Sequence, residues 1–434
     1  MNKIKSLFLV LIITFCPAFI KAATIYSLFD LAKIANQESQ TIKIAHDSLN
    51  IAKLDKKRAI SVLIPSLKAF GSYKGYESPD VYNPDALTKG VKLTHSFNLR
   101  GKELIAYSIA KNNIIEKKFS LKSIQSQYLL QTAQAYYNIL SVQRQLEIAN
   151  SNVKRLSAHT NAVKEKLIVG QVAITDLYRS KAELSKSITE QVTAKNNLEK
   201  TKAALLNLVL INEDFELAKE EIIDIKNYKT SLKEIQKKAL LKRPEIKEAT
   251  TALQTAKKTI KYNKDDYWPS LSLELGYTQT DTDYDAPLGS SIDTSNETED
   301  TYFAGTLSFT LFDAGLRSAQ IKQALAMHRQ AKNALILAKD KIRLESKTAF
   351  LDFQTATTTF QNLQNELKSA QENYNAVQMQ FEQGLADSID MMDANTLLVT
   401  AQRRILNAKY AKNLAVLKIL YAKNELIDFL LHKI

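Results

Sequence analysis

Two stretches of some 65 residues, Lys102–Leu167 and Arg317–Phe381, carry apolar residues at intervals of three and four and contain neither glycine nor proline. That spacing belongs to helices that pack along their whole length, as in a coiled coil. At 1.5 Å per residue each would be a rod on the order of 100 Å long, more than any globular core requires. Twelve apolar or small positions of the first stretch run from Leu121 through Ile139, Ala149 and Leu156 to Leu167. Adding 214 to each lands on an apolar residue again, from Leu335 through Phe353, Leu363 and Ala370 to Phe381. Both rods close on the same tip. "VGQVAITDL" (Val169–Leu177) and "QGLADSIDM" (Gln383–Met391) each carry Gly, five residues, then Asp and a hydrophobe. The chain is an internal duplication.

The duplication extends upstream. "TIKIAHDSLNIAK" (Thr41–Lys53) matches "EIKEATTALQTAK" (Glu245–Lys257) at a shift of 204, and Pro65-Ser66-Leu67 then meets Pro269-Ser270-Leu271. The shift rises to 215 where Phe97 meets Phe312, so about eleven residues are inserted in the second copy. They fall in the polar stretch Thr278–Asp300, which has seven acidic residues and no basic one; its shorter counterpart is Gly75–Gly90. Ten glycines and seven prolines in 434 residues are few turn-formers, against a usual share of about 12%. Long elements and rare turns follow.

The organisation reads as a secretory signal over 1–22, a first repeat over 23–210, a connecting equatorial segment over 211–235 and a second repeat over 236–434. Lys3 and Lys5 precede an apolar run that ends near Ala22, too short for a membrane anchor. The one cysteine, Cys16, lies in that run, so the exported chain is free of disulfides. No later apolar run is long enough for a transmembrane helix. The net charge of +13 becomes +10 without Lys3, Lys5 and Lys21, and the remaining lysines are dispersed beside acids, which argues against nucleic-acid binding.

Each repeat carries two alternating segments before its rod, at about 67–76 and 91–97, and 271–279 and 302–312. Leu271, Leu273, Leu275 and Tyr277 share one face, and Ser272, Glu274 and Gly276 the other. Such alternation fits a half-buried sheet or a transmembrane barrel strand. Trp268, Phe97 and Phe312 are expected at the end nearer the rods, and Tyr73, Tyr76, Tyr277 and Tyr302 at the loop end, as two aromatic girdles around a short apolar band. Four strands cannot close a barrel, and an open edge in lipid costs several kcal/mol per unpaired group. A membrane location therefore requires several chains to share one barrel.

The stretches "SFTLFDAGLRSAQIKQA" (Ser308–Ala324), "RPEIKEA" (Arg243–Ala249), "VGQVAITDLYRSKAELS" (Val169–Ser185) and "FEQGLADSIDMMDANTLLVTAQ" (Phe381–Gln402) resemble those of the TolC family of outer-membrane efflux and secretion channels. With the duplication, the resemblance covers essentially the whole exported chain. It implies a mainly α fold with a small antiparallel β part: a homotrimer whose duplicated hairpins form a helical barrel in the periplasm, joined to a shared twelve-stranded barrel in the outer membrane. It also implies a periplasmic adaptor (a membrane fusion protein) and an inner-membrane pump of the RND, ABC or MFS type as partners, with drugs, toxic compounds or proteins as cargo. The rival reading of the residues is a soluble periplasmic coiled-coil adaptor or scaffold.

At the tips, Asp390 and Asp393 stand three apart and so share a helix face. The resemblance implies rings of these carboxylates at the narrowest point of the duct, with raised pKa values and affinity for cations. Acids there also suit the first turn of a helix, which Ser388 or Thr175 could cap. Thr175 and Asp176 match the family's closed-state partners. Phe381 and Ala386 stand where relatives carry Tyr and Arg, so the family's bonds cannot form, and either other residues or packing must hold this tip. Gly170 and Gly384 suit tight turns, and the resemblance implies adaptor docking around them. The five histidines (His46, His95, His159, His328 and His432) show no metal-ligand spacing and read as surface or packing residues, and no catalytic motif is present, so no enzyme, metal or cofactor is expected.

Overall fold

The computed structural model describes residues 24–211, 215–218, 230–283 and 295–432. The signal segment 1–22 and the centre of the acidic insertion lie outside them.

The two rods are continuous helices of 67 residues each, α3 (Lys102–Ile168) and α7 (Leu316–Glu382). Each folds back at its tip into a shorter helix, α4 (Ile174–Val209) and α8 (Ser388–Ala422). The hairpins lie side by side with α3 against α8. In the other half of each rod the neighbours change. There α2 (Gln40–Ser61) packs on α3, and α6 (Pro244–Lys264) sits between α3 and α7. Every rod is thus flanked along its length, which is what keeps such long helices folded in water.

Beyond α2 and α6 the chain forms one antiparallel sheet in the order β2 (Ser66–Lys74), β3 (Asp85–Asn98), β5 (Ser270–Asp283) and β6 (Asn296–Ser308). The strand ends differ from the sequence reading. β3 begins six residues earlier and β5 ends four later, because Asp85–Gly90 pair with Thr278–Asp283 although neither run alternates cleanly. β6 stops at Ser308, since its partner β5 begins at Ser270 and the preceding Pro269 has no N–H to donate. Phe309, Leu311 and Phe312 therefore lie past the ladder.

Midway along the rods a second core gathers elements the sequence reading did not separate. A parallel pair, β1 (Thr24–Tyr26) and β4 (Phe215–Leu217), packs with α1 (Leu28–Glu38), α5 (Leu232–Lys242) and α9 (Leu426–His432) around the rods. Leu31, Leu129, Ile139, Leu205, Leu417 and Leu426 are fully buried there. The tail after Tyr421 carries α9, and its Phe429 meets the Phe29 ring at 5.8 Å.

One charged group is embedded in this belt. Arg243, 3% exposed, reaches Glu245 through two hydrogen bonds of 2.8 and 2.7 Å, Glu345 of α7 at 3.2 Å, and the Tyr421 ring at 4.4 Å. Glu245 also accepts from Ser123 of α3 at 2.9 Å. Burial alone would raise the Glu245 carboxyl, but the Arg243 hydrogen bonds and charge outweigh it and hold the group below the usual carboxylate range.

Candidate functional site

Both tips use the same local chemistry. Gly170 (φ 76) and Gly384 (φ 77) adopt the left-handed conformation that ends a helix and turns the chain, with open space where a Cβ would sit. Their constraint is backbone conformation and not packing. At the N3 position of each returning helix an acid closes the cap: the Asp176 carboxylate accepts from the Ala173 N–H at 3.1 Å, and Asp390 from the Asp387 N–H at 3.2 Å. Asp176 and Asp390 are counterparts at the shift of 214.

The cap of α8 is Asp387, whose carboxylate accepts from the N–H groups of Ile389 and Asp390 at 2.8 and 2.9 Å. This corrects the sequence expectation of Ser388 or Thr175. Ser388 is already the first helical residue and Thr175 the second of its helix, too late for either side chain to reach back. Asp387→Ala is expected to cost about 1 kcal/mol of local stability. Faster hydrogen exchange at the Ile389 and Asp390 amides would register it.

The two tips face each other across a groove of about 760 Å³ lined by Lys166, Asp176, Phe381, Gly384, Ser388 and Asp390. Asp393 lies one turn along α8, exposed, outside that groove. Thr175 is exposed on α4. Phe381, by contrast, is 4% exposed and packs with Val163, Leu177, Tyr374, Met391 and Leu398. The ring that lacks a hydroxyl has become the centre of an apolar cluster under the tip.

Five polar residues to which the sequence reading gave no role at the tip accompany it: His159, Lys166, Arg155, Asn395 and Asn152. His159 Nε2 lies 2.9 Å from Ser388 Oγ, both buried, and burial pushes the imidazole below its ordinary pKa. The His159 ring is 4.9 Å from that of Phe381. Lys166 Nζ donates to the Phe381 carbonyl and stands 4.5 Å over its ring. Arg155 Nε donates to Asn395 Oδ1 at 2.9 Å, and Asn395 in turn to Asn152 at 2.8 Å. These partners are more than 200 residues apart in the chain, so no spacing rule could have paired them.

The sheet at the opposite end sorts its residues by face. Register places Leu67 and Ala69 beside Leu93 and Val91, then Leu275 and Tyr277, then Phe303 and Thr301. Leu67, Leu93, Leu275, Phe303 and Leu307 all remain exposed on this apolar face. Trp268, half exposed with the Arg100 guanidinium 5.1 Å over its ring, lies at the helical end, as do Phe97 and Phe312. Tyr73 and Tyr76 lie at the loop end, where both bond Asp85. Tyr277 does not: it pairs with Val91, four rungs short of the Tyr73 and Leu87 pair, because the polar ladder continues past the apolar band. Tyr302 is also displaced. Strand alternation puts it on the polar face, its hydroxyl donating to Glu274 at 2.8 Å, so it is no member of an outward girdle. Both edge strands, β2 and β6, have a free side.

No helix among the described residues is long and apolar enough to cross a membrane. An open, four-stranded sheet with one apolar face, set on paired rods that end in two quasi-equivalent tips, is the architecture that the comparisons match. The profile described as "Outer membrane efflux protein" matches residues 235–422. The chain is 24% identical over 408 residues to the outer membrane protein TolC of Escherichia coli K12, covering 90% of this chain and 80% of that one. Residues 235–422 thus match the outer membrane efflux protein family, and the chain is similar to TolC along most of its length. It is 20% identical to the cation efflux system protein CusC of the same strain, over 79% of this chain and 74% of CusC. The solved outer membrane protein VceC of Vibrio cholerae superposes with a TM-score of 0.76 at 16% identity, covering 91% of this chain and 95% of VceC. TolC-family proteins are outer-membrane channels and not enzymes. Among the described residues of this chain no group of His, Cys, Asp and Glu could hold a metal ion.

Proposed function

We propose that three copies of this chain form one export duct whose closing end is the ring of paired tips. The observation that carries the reading is the conjunction, in one chain, of a sheet with two free edges and an exposed apolar face and of rods that turn back at matched tips. Pairing β2 of one copy with β6 of the next would satisfy the backbone groups that lipid cannot, and three copies of four strands give twelve. Trp268, Phe97 and Phe312 would then mark the periplasmic boundary of the apolar band.

The six duplicated hairpins of a trimer would converge at the tips. Asp390 lines the groove between tips and Asp393 sits exposed one turn away, so three copies of each would crowd carboxylates at the narrow end. Such rings attract cations. A periplasmic adaptor would engage the tips around Gly170 and Gly384, and an inner-membrane pump would supply the energy and choose the cargo, whether small molecules or protein. The duct itself is passive.

The test is conductance of the purified trimer in planar lipid bilayers. Wild type is expected to give small cation-selective steps blocked by multivalent cations, and Asp390→Ala/Asp393→Ala to lose that block. A block unchanged in the double variant would move the constriction away from the tips.

A further inference from the structure

Four residues break the duplication at the tips in a concerted way. At the shift of 214, Lys166 corresponds to Gln380, His159 to Asn373, Phe381 to Leu167 and Ser388 to Ile174. The counterparts of Lys166, His159 and Ser388 lack the ammonium, the imidazole and the hydroxyl, and Leu167 shares only the apolar character of Phe381; in the fold the four meet at one place. Lys166 and His159 belong to α3, in the first repeat. Phe381 closes the last turn of α7 and Ser388 opens α8, so they bracket the second tip. The first repeat therefore grips the second tip from both sides of its turn, and the second repeat has no such grip on the first.

The contacts are suited to holding a helix end. The final carbonyls of α7 lack partners within the helix, and that end carries partial negative charge. The Phe381 carbonyl accepts from the Gly384 N–H at 3.2 Å in the turn, and the Lys166 ammonium adds a charged donor to it while lying 4.5 Å over the Phe381 ring. On the other flank, His159 meets the buried Ser388 hydroxyl at 2.9 Å and stacks within 4.9 Å of the same Phe381 ring. Any displacement of the second tip away from α3 must break all of these at once.

We infer that Lys166 and His159 are the positioning residues that clasp the second tip onto the first hairpin and keep the duct in its docked, narrow form. The inference rests on reading the tips as the closing end of the duct. It also gives the clasp a pH dependence. The charged groups around His159 are Arg155 and Lys166 on α3 itself, one and two turns away, Tyr374 on α7 next to Arg155, and Asp387 and Asp390 at the start of α8, with uncharged Leu177 and Ser180 facing from α4. A proton on His159 would place a charge in a buried site. Because burial lowers the imidazole's pKa in the docked tip, docking is favoured at neutral pH and weakened as pH falls below about 6.5, the value of a free imidazole.

Single-channel recording of the full-length trimer tests this with Lys166→Ala, His159→Gln and Lys166→Arg, each checked for an intact heat-sensitive trimer on gels. Lys166→Ala is expected to raise the open fraction about tenfold at pH 7.5, the shift expected for one lost charge-assisted contact, and Lys166→Arg to restore it. Wild type is expected to open as pH is lowered from 7.5 to 5.5, and His159→Gln, which keeps a polar partner for Ser388 but cannot charge, to lose that response. Open fractions that stay at the wild-type level in Lys166→Ala, or an acid response retained in His159→Gln, would overturn the clasp. The Asp390→Ala/Asp393→Ala recordings separate the two readings: multivalent block lost there while the clasp variants behave as wild type leaves the gate standing and removes the clasp alone.

Discussion

Arg243→Ala is expected to lower the unfolding free energy by about 3 kcal/mol, the lower part of the range for breaking a buried ion pair, because Glu245 and Glu345 each keep some contact with water. The guanidinium ties the start of α6 to α7 and α8, and through Glu245 to Ser123 of α3, so its loss leaves two carboxylates facing each other where the rods meet. Arg243→Lys should recover only part of the loss, since an ammonium cannot bridge both oxygens of Glu245 while reaching Glu345. The pH dependence sharpens the test. In the wild type Glu245 is held below its ordinary pKa, so its stabilising contribution is present above about pH 4.5 and is lost as pH falls through the lower folded value. In Arg243→Ala the burial that Arg243 outweighed is opposed only by the weaker Ser123 and backbone hydrogen bonds, and the carboxyl becomes harder to ionise than in the unfolded chain. The gap between the two proteins should therefore narrow as pH falls from 7 to 4. Denaturant unfolding followed by circular dichroism at both pH values measures it; a gap independent of pH would assign the loss to packing.

Gly90→Val is expected to abolish assembly of the sheet. A Cβ at Gly90 would lie 2.4 Å from the Tyr277 carbonyl oxygen and 3.2 Å from both the Phe70 ring and the Thr278 Cα. Two of those three atoms are backbone of the paired strand β5, which can yield only by opening the ladder between the two repeats. The cost should be about 3 kcal/mol or more, beyond ordinary overpacking of a flexible core. Because β3 and β5 are the central strands, the loss removes the link between the halves of each chain's contribution to the barrel. Gly71→Val is the control. It lies on edge strand β2 with nothing within 4 Å of a Cβ, on the same face as Leu67 and Ala69, and should assemble normally. The yield of membrane-extracted trimer compares the two, and equal yields would mean that β3 and β5 are not so closely apposed.

Much of the architecture was legible because its signals are local and written twice. Rods drawn from periodicity at Lys102–Leu167 and Arg317–Phe381 lie within a residue or two of the helices Lys102–Ile168 and Leu316–Glu382. A helix of that length repeats its apolar interval many times, so a single exception does not hide it. The tips were legible for a different reason: Gly170 and Gly384 are among very few glycines, and each needs its positive φ.

The strand ends and the face of Tyr302 were harder to read. Ladder pairing between Asp85–Gly90 and Thr278–Asp283 is settled by the partner strand and not by either sequence, and polar strands beyond an apolar band carry no alternation to detect. The functional constellation at the second tip was hidden more deeply. The family resemblance implied bonds that Phe381 and Ala386 cannot make, and so that other residues or packing must hold the tip. Sequence could not supply the replacement, because Lys166 with Phe381 and His159 with Ser388 come from opposite repeats and meet only through the packing of α3 on α7 and α8. By itself, then, the sequence determined the duplication, the length of the rods and the position of the turns, all properties of segments that each state their own periodicity. Tertiary structure alone decided which side chains of one repeat close on the other, because contacts between residues more than 200 apart leave no mark on either stretch of chain.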